Sequence, residues 1–274
     1  MNKTTTSNPA ERALQSIVTV TPTRGPVISG TVVGPELVLT VAHVLRGGSA
    51  IVTAAEQPLN AVLAGRDAFT DLALLRVPGL VAEPVSRGVA PRLGDAVFAV
   101  ARPQTGPMVT SGVLSGHLTG QGGRRWLMTD ARPFPGFSGG ALVNEEGGLV
   151  GLLNAGVSRG ELLGVSSETA LEVSGQLAVQ GTVARGRLGV STQRVRLADG
   201  AAGLLTVGIE AEGAAARAGL LVGDVLHSWN GEPIRTGDEL LSLVLAAAHQ
   251  TAELGITRGE EALTLSVNVG VQPA

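Results

Sequence analysis

Between Ser16 and about Val173 the chain alternates short apolar runs with glycine, proline and polar breaks. β-Branched and aliphatic residues concentrate at Ile17–Thr21, Val27–Val33, Leu37–Val41, Ile51–Ala54, Ala61–Leu63, Leu72–Val77, Ala96–Ala101, Met108–Leu114, Trp126–Thr129, Ala141–Asn144, Leu149–Asn154 and Leu162–Val165. Runs this short, separated by turn residues, predict many strands in an all-β barrel or sandwich. The texture changes over Glu168–Ala184, where Thr169–Val179 predicts a short closing helix and Gly181–Gly186 a linker.

A different pattern follows Ala184. Val190–Arg194 and Gly203–Ile209 read as strands, Ala214–Ala218 as a short helix stopped by Gly219, and Gly223-Asp224 as a turn. Val225–Trp229 is a strand that meets Asn230-Gly231, a strong hairpin signal. Thr236-Gly-Asp-Glu239 has the form of a capping box, which predicts a helix to about Ala248 with Leu240, Leu241, Val244 and Leu245 on one face. Leu263–Val269 supplies a last strand. The expected organisation is a flexible leader over residues 1–11, a β-rich domain over 12–180 and a small α+β domain over 185–274.

Length agrees with two domains, since 274 residues suffice for two separate cores. Aromatics make up only 2% of the chain, so those cores must be built from Val, Leu, Ile and Ala. Lys3 is the sole lysine, which leaves neither a phosphate-cradling lysine nor a Schiff base. With no cysteine, and with four histidines that show no paired spacing, neither a metal nor any other cofactor is expected. A net charge of −3 without a basic, aromatic-studded face argues against nucleic acid. The first residues lack an apolar stretch of signal-peptide length, and nowhere do apolar residues run long enough to span a bilayer. As it stands, the chain is expected to be soluble and cytoplasmic.

Candidate chemistry centres on Phe134-Pro-Gly-Phe-Ser138-Gly-Gly-Ala, a serine among small neighbours just after the strand Arg125–Thr129. Glycines let backbone N–H groups approach an oxygen that becomes negative, so Ser138 is a candidate nucleophile if a base can reach it. Among the histidines, His43 stands out because Leu37-Val-Leu-Thr-Val-Ala-His43 places it at a strand end. His117, His227 and His249 read as structural or surface residues. Asp71 opens the strand Asp71-Leu-Ala-Leu-Leu-Arg-Val and could orient the imidazole. Its rival Asp67 looks more solvated.

These three frames, in the order His43, Asp71, Ser138, resemble the Thr-Ala-Ala-His, Asp-Ile-Ala-Leu and Gly-Asn-Ser-Gly-Gly blocks of trypsin-like serine proteases of the HtrA/Deg type. Thr129-Asp130-Ala131 and Pro135-Gly136 match the approach to the nucleophile there, and residues from about Arg185 onward resemble a PDZ domain. The resemblance implies a mainly β fold, a chymotrypsin-like double barrel followed by a PDZ domain, with no cofactor. It implies His43 as general base, Asp71 as its orienter, Ser138 as nucleophile and the N–H groups of Gly136 and Ser138 as the oxyanion hole. A specificity pocket would draw on Arg132, Pro133, Val165, Ser166 and Ser167. Arg187-Leu188-Gly189-Val190 would seat a peptide carboxylate beside Leu240, Leu241 and Val244. Partners would then be protein or peptide substrates and C-terminal peptides.

The same resemblance implies a trimer, held in the family by N-terminal aromatic contacts that residues 1–11 cannot supply, and a periplasmic or extracytoplasmic site if an N-terminal signal or anchor was trimmed. This sequence departs from the family pattern at Phe134 and Phe137, where polar residues are expected, so apolar packing would have to replace polar anchoring of the loop. Arg132 makes the pocket more polar than usual: turned inward it would favour an acidic or amide side chain, and the outward, solvated orientation is the expected one. The alternative reading is a catalytically silent scaffold or holdase that uses only its PDZ groove.

Overall fold

A computed structural model describes residues 8–120, 125–156, 160–197 and 200–272, which fall into two compact units divided near Ala184. The first opens with α1 (Pro9–Leu14), capped by the Asn8 side chain. The sequence predicts a flexible leader through Glu11. Instead, helix α1 buries Ala10 and Ala13 against Ile17, Val100 and Val143, because two small apolar residues three apart share one helix face.

Strands β1 (Ile17–Pro22), β2 (Ile28–Gly34), β3 (Leu37–Val41), β4 (Ser49–Ala54), β5 (Gln57–Asp67) and β6 (Leu72–Arg76) close a barrel in the order β1-β2-β3-β6-β5-β4. A second barrel, in the order β10-β11-β12-β9-β8-β7, uses β7 (Ala96–Ala101), β8 (Met108–Thr119), β9 (Arg125–Thr129), β10 (Ala141–Val143), β11 (Leu149–Asn154) and β12 (Leu162–Ser166). Each of the apolar runs in this half of the sequence lies on one of these strands.

Strands β3 and β6 are buried on both faces, which explains their near-continuous hydrophobicity. Val38, Ala73 and Leu75 fill the first barrel. Leu39 and Leu74, paired in register, pack outward with Trp126, Leu152 and Leu163. The helix α2 (Ser167–Gln180) covers that layer with Ala170, Val173 and Leu177. It starts two residues before the predicted Thr169, because Ser166 caps it by accepting the Thr169 N–H.

The second unit comprises β13 (Gly186–Arg187), β14 (Val190–Arg196), β15 (Ala202–Ile209), α3 (Ala214–Arg217), β16 (Val225–Trp229), β17 (Glu232–Pro233), α4 (Gly237–Ala246), β18 (Thr251–Arg258), β19 (Glu261–Asn268) and β20 (Gly270–Val271). Its main sheet runs β14-β15-β16-β18-β19, with β17 paired to β16 and a separate β13-β20 ribbon. Asn230 (φ 50°) and Gly231 (φ 83°) form the expected hairpin turn, and the capping box at Thr236 has both of its hydrogen bonds.

Strand β18 has no counterpart among the expected elements. Glu253 and Gly255 break its apolar pattern, and the glycine is there for space: a Cβ would lie 2.1 Å from Ser228 Oγ on the neighbouring strand.

Asp224, only 1% exposed, ties this unit together by accepting from Arg258 Nε and Nη2, each at 2.8 Å, and from the Leu221 N–H at 2.8 Å. The Arg258 hydrogen bonds hold its carboxyl below the usual carboxylate range, outweighing the opposite pull of burial. A depressed folded pKa stabilises the fold above the unfolded value, near 3.9, and that contribution is lost as pH falls through the folded value. Asp224→Asn is therefore expected to lower the Tm by several degrees at pH 7. Calorimetry should show the gap to wild type narrowing as the pH drops from 5 to 3.

Candidate active site

Antiparallel pairing of Val41 with Leu72 brings the chain just beyond β3 beside the residue just before β6. His43 and Asp71 therefore meet although 28 positions separate them. The Asp71 carboxylate accepts the His43 backbone N–H through Oδ1 at 2.8 Å and faces His43 Nδ1 through Oδ2 at 2.6 Å. Asn154 Nδ2 donates to the same Oδ2 at 2.7 Å. Asp71 adopts φ 58°, a left-handed conformation that costs about 1 kcal/mol outside glycine and that the three bonds hold in place. With the Nδ1 proton directed at a carboxylate, Nε2 carries the lone pair that can accept a proton.

Asp67 does not compete. It is buried rather than solvated, and its Oδ2 accepts from Thr70 Oγ1 at 2.6 Å to close the turn that leads into Asp71.

Ser138 follows a tight turn in which the Phe137 N–H donates to the Phe134 carbonyl at 3.2 Å. Pro135 and Gly136 (φ 88°) supply the second and third residues of a type II turn. Phe137 is fully buried in the second barrel, with the Phe134 ring 5.8 Å away. Apolar packing thus anchors this loop where polar side chains are expected. The Gly140 N–H holds the Phe137 carbonyl at 3.0 Å, which fixes the peptide plane carrying the Ser138 N–H. Among the described residues neither Gly136 N–H nor Ser138 N–H donates to a protein oxygen, so both can serve a developing oxyanion.

The first barrel grips this loop from the other side. Ser29 N–H donates to the Ser138 carbonyl at 3.0 Å, and Ser29 Oγ donates to the Gly136 carbonyl at 2.7 Å. Thr31 Oγ1 donates to the Gly139 carbonyl at 2.9 Å, and Thr40 Oγ1 holds the Ser29 carbonyl at 2.7 Å. These positioning residues escape a search for motifs. Their signal is three small polar side chains inside strands that are otherwise wholly apolar.

Gly139 (φ 85°) sits against this group so tightly that a Cβ would lie 2.0 Å from the Ser29 carbonyl oxygen. Gly139→Ala combines backbone strain with overpacking and is expected to cost about 2–5 kcal/mol, read from urea denaturation.

Among the described residues no hydrogen bond joins Ser138 to His43. Ser138 Oγ instead accepts the Ala155 N–H at 3.1 Å. Gly156, the next residue, lies against the imidazole, where an added Cβ would come within 2.9 Å of Nε2. The tripeptide Asn154–Gly156, at the end of β11, therefore touches each of the three residues: a side chain on Asp71, a backbone N–H on Ser138 and a bare α-carbon on His43. Sequence reasoning ends a strand at Asn154 without giving that residue a role.

The expected specificity residues separate. Arg132 and Pro133 line a cavity of about 390 Å³ together with Asp130 and Glu161. Val165, Ser166 and Ser167 do not line it. Val165 pairs with Trp126 under α2, Ser166 caps that helix and Ser167 is its first residue. The tight passage from β12 into the helix takes all three away. Arg132 is exposed, its guanidinium 5.1 Å over the Phe134 ring.

In the second unit, Arg187, Leu188, Gly189, Val190, Leu240, Leu241 and Val244 border a groove of about 410 Å³ between β14 and α4, and Arg187 is paired to Glu210. Gly189 has φ 77°, and among the described residues no protein acceptor takes the N–H of Leu188 or Gly189. Strand β14 lies at the sheet edge.

A family model of the trypsin-like peptidase domain matches residues 28–152, and one of the PDZ domain matches residues 186–269. The structure superposes on the HtrA-type protease AlgW with decapeptide at a TM-score of 0.86, with 26% identity, covering 97% of this chain and 98% of that one. The chain belongs to the HtrA-type family. Among relatives of this HtrA-type chain, a probable periplasmic serine endoprotease, DegP-like, from Pseudomonas putida (strain W619) is 35% identical over 267 residues, covering 89% of this chain. The chain spans only 56% of that relative's length. Serine endoprotease DegS of Escherichia coli (strain K12) is 28% identical over 263 residues, covering 86% of this chain and 74% of DegS. Among the described residues of this HtrA-type chain no helix is long and apolar enough to cross a membrane.

Proposed function

We propose that the chain is a serine endopeptidase that cleaves unfolded or damaged protein chains, with a trypsin-like domain over residues 12–180 and a PDZ domain over 185–274 that captures C-termini. The observation that carries this reading is the three-bond hold on Asp71, which leaves His43 Nε2 free to act as a base.

In this mechanism Nε2 takes the Ser138 proton as Oγ bonds to the substrate carbonyl carbon. The carbonyl oxygen becomes negative and is met by the N–H groups of Gly136 and Ser138. Asp71 stabilises the imidazolium, which passes the proton to the leaving nitrogen as the C–N bond breaks. Water then attacks the acyl carbon and gives a proton to Nε2, which passes it to Ser138 Oγ as the Oγ–acyl bond breaks and the carboxylic acid leaves. In the resting arrangement Oγ accepts the Ala155 N–H, which leaves its own proton available for Nε2 once the two come within reach.

Labelling with a fluorophosphonate tests this reading. Modification of wild type at Ser138, located by mass spectrometry, is expected. An unlabelled protein that still captures peptides would favour the scaffold or holdase reading instead.

At the PDZ groove, the free N–H groups of Leu188 and Gly189 suit a carboxylate while the edge of β14 accepts the peptide as an added strand. Amidating a peptide's C-terminus is expected to weaken binding about tenfold or more, since hydrogen bonds to a charged group contribute about 1.5–3 kcal/mol. Fluorescence anisotropy with matched peptides measures it. The Pseudomonas relative is named periplasmic, which agrees with the extracytoplasmic site that the resemblance implies.

A further inference from the structure

A cavity of about 730 Å³ opens beside His43, between the β1–β2 turn and the turn that follows β3. It shares His43 with the site but none of Ser138, Asn154, Ala155 or Gly156. Gly156 approaches the imidazole at Nε2 and Cε1 without lining the cavity, whose wall next to His43 is Val44. Its near wall, Gly25-Pro26, leads into Val27, whose carbonyl oxygen is 3.3 Å from where a Gly136 Cβ would sit. The cavity thus adjoins the base, and its Gly25-Pro26 wall is two residues or fewer from a contact with the oxyanion loop.

Two cations line it. Arg24 and Arg46 are both exposed, and among the described residues neither has an ion-pair partner. No acidic residue is part of the lining. Glycines at 25, 47 and 48 keep the walls free of side chains, and nothing lies within 4 Å of the position a Gly48 Cβ would take. A roomy recess with two uncompensated guanidinium groups is complementary to carboxylate. In the cleavage step the imidazolium hands its proton to the leaving nitrogen, so the leaving half of the substrate has to pass His43.

We infer that this cavity is a subsite for acidic side chains within the first three residues after the scissile bond, with Arg24 and Arg46 as its recognition groups. The inference rests on the protease reading above and adds a substrate preference to it.

Quenched fluorescent peptides that are identical before the scissile bond and carry Asp, Asn or Lys at the first three positions after it provide the test. For the wild-type full chain, kcat/KM for the Asp series is expected to exceed that for the Asn series about fivefold or more, with the Lys series slowest. The Asp-to-Asn ratio should shrink toward one in 0.5 M salt, as expected for exposed charges. In the Arg24→Gln/Arg46→Gln double variant it should be near one even at low salt.

Fluorophosphonate labelling of the same wild-type preparation separates the two ways of failing, because the reagent has no peptide leaving half. Full labelling with equal Asp and Asn rates overturns the subsite and leaves the protease reading in place. A preference that survives in the double variant overturns the assignment to these arginines. Absence of both labelling and turnover removes the protease reading and the subsite with it.

Discussion

Ser138→Ala is expected to lower kcat on an unfolded protein substrate about a millionfold, to the residual rate that substrate binding and the oxyanion donors supply without a nucleophile. The structure makes this substitution informative in a second way. Ser138 Oγ is the acceptor for the Ala155 N–H, and the residue is only 7% exposed. Removing it leaves a partly buried donor unpaired, which costs about 1 kcal/mol. The variant should therefore fold with a modestly lower Tm, and activity should fall far more than stability. A loss of rate that merely tracked unfolding would contradict the role of Ser138 as nucleophile. Active-site titration and thermal denaturation on one preparation distinguish the two.

Asp71→Asn should cost about 10⁴-fold in kcat while leaving the fold intact. The amide is nearly the same size but has one oxygen where Asp71 now uses two, accepting from His43 N–H, His43 Nδ1 and Asn154 Nδ2. An asparagine can satisfy the backbone N–H and still present its NH₂ group to Nδ1, which would then accept the bond. That reverses the imidazole tautomer and puts the proton on Nε2, where the base is needed. The loss is expected chiefly in kcat, with KM little changed, and nitrogen chemical shifts of the His43 ring would report the tautomer directly. Asn154 makes the reversal more pronounced, since two amide groups would then compete to donate beside one imidazole.

Much of this site is legible in the sequence for a local reason. His43 and Asp71 flank strands β3 and β6, whose apolar runs are unbroken because both faces are buried, and Ser138 lies in a glycine-rich loop that only a few backbone geometries require. The twelve runs of the first unit likewise mark its twelve strands, since short apolar segments between glycines and prolines have few other uses. What escapes is set by partners distant in sequence. Ser29 and Thr31 look like ordinary strand residues until the loop 107 or 108 positions away supplies their acceptors, and Thr40 until Ser29, on the neighbouring strand, supplies its own. Asn154 looks like the end of a strand until Asp71 arrives beside it. Strand β18 is hidden by Gly255, whose purpose is the Ser228 side chain on another strand. Val165, Ser166 and Ser167 do not join Arg132 at its cavity because the chain turns into α2 sooner than the apolar pattern indicates.

The grip of Ser29 and Thr31 on the carbonyls of Gly136, Ser138 and Gly139 has a consequence for the chain during its own synthesis. The nucleophile loop takes its bonds from a strand made more than a hundred residues earlier, and the base belongs to that earlier half as well. A nascent chain that has completed only the first barrel holds the base but has neither the serine nor the loop that shapes the anion site. On the protease reading, cutting power would arise only once both barrels have closed on each other, so a half-made molecule would be harmless to itself and to its neighbours on the ribosome.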